Sequence, residues 1–145
     1  MLSFAVFALL VAAASASNSA LGVVEGIVPC GSAGQILQVR VTDCTNLPCP
    51  LVKGQTYDVE IDFIPSVAHT ELEVLVYVIW YGQETEVVRQ TIPAVVSPGN
   101  GYTLAYPWTV RGDFFGLVAL YIELNGNDVT ELCGIATADV RELIF

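Results

Sequence analysis

The chain reads as an all-β protein, an immunoglobulin-like β-sandwich of about seven strands in two sheets. Three observations predict it. Apolar and polar residues alternate with a period of two along much of the chain after residue 16. Turn-forming Gly, Pro, Asn and Asp clusters interrupt the alternation at a spacing of roughly 10 to 15 residues. No stretch beyond the amino-terminal segment shows a convincing helical period.

The amino-terminal segment is set apart first. Phe4 to Ala14 is an uninterrupted run of small and apolar residues, too short to span a bilayer, and Ala14-Ser15-Ala16 has the small-x-small form of a signal-peptidase site. Residues 1–16 are therefore expected to be a signal peptide and residues 17–145 a single domain. No later segment carries the run of uncharged apolar residues that a membrane helix needs, so no stable membrane insertion is expected.

The strands follow in order. In Leu37-Gln38-Val39-Arg40-Val41-Thr42 the odd positions are apolar and the even ones polar. Thr56 to Phe63 repeats the pattern, with Tyr57, Val59, Ile61 and Phe63 on an inward face and Thr56, Asp58, Glu60 and Asp62 on the other. Glu71 to Tyr81 is apolar on both faces after Glu73 and rich in β-branched and aromatic residues, as a more fully covered strand would be. A turn at Gly82-Gln83-Glu84 leads into Thr85 to Ile92. After Ser97-Pro98-Gly99-Asn100-Gly101, a further strand places Tyr102, Leu104, Tyr106, Trp108 and Val110 on one face. Phe115 to Leu124 and Leu132 to Val140 complete the set, separated by Asn125-Gly126-Asn127-Asp128.

Cysteine usage agrees with secretion. Four cysteines in an oxidising compartment imply two disulfides, for which three connectivities are open. Cys44 and Cys49 bracket the turn-like Thr45-Asn46-Leu47-Pro48, which brings their sulfurs together locally and leaves Cys30 to pair with Cys133.

Composition excludes several function classes. The formal charge is -10, from 15 acidic and 5 basic residues. Arg40, Lys53, Arg89, Arg111 and Arg141 are scattered, so neither nucleic acid nor an anionic membrane surface is an electrostatic target. One histidine, His69, cannot build a His-rich metal site and is a poor basis for Ser–His or Cys–His catalysis. No metal, cofactor or enzymatic activity is expected. Arg111-Gly112-Asp113 has the form of an integrin-binding tripeptide, yet an ordinary Gly-Asp turn accounts for it. There is no Asn-x-Ser/Thr sequon.

The motifs also carry a family resemblance. Cys30-Gly31-Ser32, then Cys44 through Pro48-Cys49-Pro50-Leu51-Val52-Lys53-Gly54-Gln55-Thr56-Tyr57, and finally Leu132-Cys133 resemble the ML-domain family of lipid-recognition proteins over essentially all of the chain after the leader. The resemblance implies a sandwich whose sheets are splayed around an apolar cavity that holds a sterol, a fatty acid or another lipid, and it supports the same two disulfides. Carried over from the family's cholesterol carriers, the cavity-lining positions fall on Val87, Val110, Phe114 and Phe115. Tyr57 and Phe63 join them from the alternation above, and Trp80 and Trp108 from bulk and position.

Two departures from the family pattern stand near the expected cavity mouth. The sterol carriers and mite allergens of the family have a third disulfide across the hairpin spanning about residues 94–102, where this chain has no cysteine, so a looser hairpin is expected. A proline-rich run of the cholesterol carriers is replaced here by Gln83-Glu84-Thr85-Glu86.

The expected function is that of a secreted lipid-binding or transport protein. Sequestering roughly 400 Å² of apolar ligand surface offers about 10 kcal/mol gross, enough for useful binding without any catalytic group. The expected partner is a small apolar ligand, with a lipid-accepting or receptor protein as a transient second partner. Two alternatives are an innate-immune accessory that recognises bacterial glycolipid, which wants cationic groups at the mouth, and a solid-cored extracellular interaction module. With no sequon to carry a mannose-phosphate address, extracellular secretion is expected rather than a lysosomal destination.

Overall fold

The computed structural model describes residues 21–142, so the expected signal peptide and its cleavage site lie outside the described residues. Ten strands form two sheets among them. They are β1 (Leu21–Val23), β2 (Val28–Pro29), β3 (Gln35–Thr42), β4 (Cys49–Val52), β5 (Thr56–Ile64), β6 (His69–Trp80), β7 (Gln83–Val96), β8 (Tyr102–Thr109), β9 (Gly116–Gly126) and β10 (Val129–Arg141). The four-stranded sheet runs β1-β3-β5-β8, and the six-stranded sheet runs β2-β10-β9-β6-β7 with β4 also paired to β10. The fold is all-β, as the alternation predicts. The short strands β1, β2 and β4 add to the expected set; each is too brief to leave a periodic signature.

Turn chemistry defines the two long hairpins. Tyr81 and Gly82 (φ 51° and 73°) connect β6 to β7, and Asn127 and Asp128 (φ 50° and 60°) connect β9 to β10. Two consecutive residues at positive φ match the right-handed twist of the flanking strands. These turns are tighter than the sequence implied, because Gln83, Glu84, Asn125 and Gly126 all belong to strands.

Register places the core. Tyr57 pairs with Trp108, Val59 with Tyr106, Ile61 with Leu104 and Phe63 with Tyr102, so the inward faces of β5 and β8 coincide over their full length. The opposing face is built from β6, β9 and β10, where Val74 pairs with Leu124, Val76 with Ile122 and Val78 with Leu120. Of the register shifts among the described strands, two bear on burial. One between Ile36 and Gln38 turns Leu37 outward, 51% exposed, while Ile36 takes the place opposite Phe63. The other, between Thr130 and Leu132, turns the Glu131 side chain fully inward.

Both disulfides form as the cysteine spacing predicts. Cys44–Cys49 joins the end of β3 to the start of β4 and so ties one sheet to the other. Cys30–Cys133 anchors the β2–β3 crossover on β10, where Cys30 N donates to Cys133 O and Gly34 N to Glu131 O.

Candidate functional site

Between the sheets lies a cavity of about 70 Å³ whose exposed wall is entirely apolar. Val39 and Val41 of β3, Tyr57 and Val59 of β5, and Tyr106 and Trp108 of β8 form one wall; Val74, Val76, Leu120, Ile122 and Ala136 form the other. Val24, Ile27, Cys49 and Leu51 close the side on which the disulfides lie. The Tyr57 hydroxyl is turned to the backbone: it accepts from Val52 N at 2.8 Å and donates to Gln55 Oε1 at 3.3 Å. No polar group of the lining is therefore left without a partner by that residue, and the space suits hydrocarbon.

The residues singled out from the sequence fall into three places. Tyr57 and Trp108 line the cavity. Phe63 is fully buried farther along β5, 6.3 Å from the Tyr102 ring, and packs the opposite end of the core. Trp80, Val110, Phe114 and Phe115 gather at the end of the sandwich where β6 turns into β7, away from the cavity lining. Trp80 and Phe114 border a second hollow of about 320 Å³ together with Val78, Gln83, Thr85, Gly112 and Asp113. Val110 is fully buried; Phe115 is 54% exposed, with its ring 5.4 Å from Trp80 and 5.9 Å from Lys53 Nζ. Val87, half-buried, sits at the register shift between Val88, opposite Val76, and Glu86, opposite Tyr77.

Gly112 explains how Phe114 reaches the core there. Its φ is 128°, and a Cβ at this position would clash with the Phe114 ring, so the loop lets the ring fold back against its own backbone.

The cavity residues not foreseen are the valines of β3 and β6, Tyr106, and the β9–β10 set. Val59 and Tyr106 carried a legible signal, because strict alternation puts them on the faces of Tyr57 and Trp108. The remainder depends on which stretch of β6 and β9 comes to lie over β5, and no local pattern encodes that.

A further hollow, of about 480 Å³, lies on the outside of the six-stranded sheet and is lined mainly by polar residues, including Glu71, Glu73, Glu123 and Asp128. It offers nothing to an apolar ligand. Among the described residues no group of acidic, His and Cys side chains is arranged to hold a metal ion. Four of the basic side chains are committed to ion pairs: Arg40 with Glu60 and Asp62, Lys53 with Glu142, Arg89 with Glu73 and Glu86, and Arg141 with Asp139.

No family model and no curated protein sequence matches the chain. Solved structures do. The Niemann-Pick type C2 protein from Japanese carpenter ant superposes with a TM-score of 0.71 at 13% identity, covering 80% of this chain and 99% of that one. Chicken MD-1, solved in complex with lipid IVa, is 14% identical with a TM-score of 0.47, covering 84% and 99%. The first likeness establishes a shared fold, the sandwich that the ML-domain resemblance implied.

Proposed function

We propose that this protein is a secreted carrier that holds a small apolar molecule, a sterol, fatty acid or similar lipid, between its two sheets, and that it performs no chemical step. The observation that supports this most directly is the inter-sheet cavity, whose exposed wall is entirely apolar. The fold shared with the ant Niemann-Pick type C2 protein and the Pro48–Tyr57 motif add to it. Cleavage after Ala16 and two disulfides fit a secreted domain spanning residues 17–145.

The cavity is far smaller than the roughly 300 Å³ at which small-molecule sites begin. Loading therefore requires the sheets to part. Side-chain packing between them tolerates this better than strand pairing would, since apolar contact is non-directional whereas a ladder hydrogen bond is lost with displacement. Ligand surface replaces the protein surface that is uncovered, so the expanded state is stable only when loaded.

The test is native mass spectrometry of the secreted protein, followed by extraction and identification of the bound molecule, with dehydroergosterol and oleate offered to the stripped protein. A one-to-one apolar adduct supports carriage. A bare mass that persists with both lipids in excess would overturn it.

A further inference from the structure

The four sides of the sandwich are not equally closed. On the side of β1, β2 and β4, Cys44–Cys49 joins the layers, and Cys30–Cys133 with the backbone bonds of Cys30, Ala33 and Gly34 to β10 pins the crossover that leads from one sheet to the other. At the Phe63 end, Glu131 of the six-stranded sheet takes hydrogen bonds from Ser66 N and Val67 N, just after β5, and from His69. On the remaining long side, β7 and β8 are consecutive in the chain yet do not pair: each is the edge of a different sheet. The seam between them is spanned by side chains.

One polar pair crosses it. Tyr106 Oη donates to Gln90 Oε1 at 3.0 Å. Tyr106 is half-buried and lines the cavity, and Gln90 is exposed, opposite Val74 in the β6–β7 register and hence on the inward face. That face of β7 reads Val88, Gln90, Ile92, Ala94 and Val96, so Gln90 is its polar exception. It stands where the inward row of β7 meets the cavity wall of β8.

We infer that the Tyr106–Gln90 pair is a side gate to the cavity and the polar site that receives the ligand's head group, selecting a neutral hydroxyl-bearing lipid over a carboxylate. This rests on the carrier reading above. Opening the gate frees a phenol O–H, an amide carbonyl and an amide NH₂, which together satisfy both the donor and the acceptor of an alcohol. A carboxylate has acceptors only and brings a charge into a protein of formal charge -10. The basic residue next in sequence, Arg89, points outward to Glu73 and Glu86 and does not serve the seam. Burial pushes the Tyr106 phenol above its ordinary pKa, so it remains a neutral donor at physiological pH.

The test uses cis-parinaryl alcohol and cis-parinaric acid, followed at pH 8 by energy transfer from tryptophan in stopped flow. The wild type is expected to bind the alcohol about tenfold more tightly than the acid. A neutral hydrogen bond contributes about 0.5–1.5 kcal/mol, so Tyr106→Phe and Gln90→Leu should each speed uptake and release about three- to tenfold, and the double variant should bring the alcohol-to-acid ratio towards one. Both positions are partly or fully exposed, and far-ultraviolet circular dichroism checks that the variants fold. If both probes bind but neither rates nor ratio respond in the double variant, the gate is overturned while carriage stands; faster exchange in Trp80→Ala would then place access at the Phe114 end. If neither probe binds the wild type, both the carrier reading and the gate fall.

Discussion

His69 and Glu131, 62 positions apart, meet at 2.7 Å between Nε2 and Oε2 with both side chains fully buried. The same carboxylate accepts from the backbone amides of Ser66 and Val67, and the far side of the imidazole lies 3.3 Å from Asn127 Nδ2. One buried carboxylate thus draws together the β5–β6 connection, the start of β6 and β10, with the β9–β10 turn alongside.

This cluster predicts an acid-sensitive stability. Burial raises the Glu131 pKa, but hydrogen bonds from His69, Ser66 and Val67 outweigh it and hold the carboxyl below its ordinary value. Its stabilising contribution is present above the ordinary carboxylate pKa and is lost as pH falls through the depressed folded value. Glu131→Gln should cost about 3 kcal/mol at pH 7, with a penalty that shrinks as the pH falls below 4. Urea midpoints measured from pH 7 to 3 check this; a penalty independent of pH would contradict it.

The two disulfides should differ in weight. Their partners are 103 and 5 positions apart, so chain entropy assigns about 4 to 5 kcal/mol to Cys30–Cys133 and about 2 kcal/mol to Cys44–Cys49. Paired Cys→Ser variants compared by urea denaturation give the order. Loss of Cys44–Cys49, the bridge between the sheets, should nevertheless release bound lipid faster, and full reduction should release it altogether. Lipid retained by the fully reduced protein would show that the bridges do not hold the layers.

Filling the cavity should separate binding from folding. Ala136 is buried, 7% exposed, and lines the space. Ala136→Leu adds apolar volume where there is room for it, so stability should change by less than about 1.5 kcal/mol while lipid affinity falls at least tenfold. By contrast, Val110→Asp or Phe114→Asp should unfold or severely destabilise the chain, because each puts a charge among buried apolar side chains. Thermal melts alongside dehydroergosterol titration distinguish the two cases; undiminished binding in Ala136→Leu would move the ligand elsewhere.

On the outer face of the four-stranded sheet, Arg40 clamps Asp62 with two bonds of 2.7 and 2.9 Å and reaches Glu60 at 2.9 Å. The Arg40 hydrogen bond, opposed by burial and aided by Thr103, holds the Asp62 carboxyl below its usual value. Arg40→Met should cost about 2 kcal/mol, since it strands the nearly buried Glu60 without a partner. The loss should diminish in 1 M salt only slightly, because the cluster is largely shielded from solvent. Guanidinium-free urea melts with and without sodium chloride measure both.

The strands were legible because period-two patterning is local. Thr56 to Phe63 and Tyr102 to Val110 declare their inward faces in sequence, and the observed register joins those faces pair by pair. The cysteine pairing was legible for a similar reason: a turn of four residues leaves Cys44 and Cys49 nothing nearer than each other. Leu37 and Glu131 were not, because a bulge inserts one residue and reverses every face beyond it without changing composition. Of the residues expected around a ligand, Tyr57 and Trp108 line the inter-sheet cavity, whereas Trp80 and Phe114 border a different hollow.

Local patterning and composition were enough for the all-β class, the inward faces of β5 and β8 and the disulfide pairs, since each follows from neighbours in the chain. The tertiary structure alone decided where the cavity lies, that Glu131 is buried against His69, and that β7 and β8 part company to leave a seam bridged by Tyr106 and Gln90. The reason is physical. Facing is set by alternation along one strand, but the space between sheets is set by how two twisted surfaces, assembled from residues far apart in sequence, come to rest on each other.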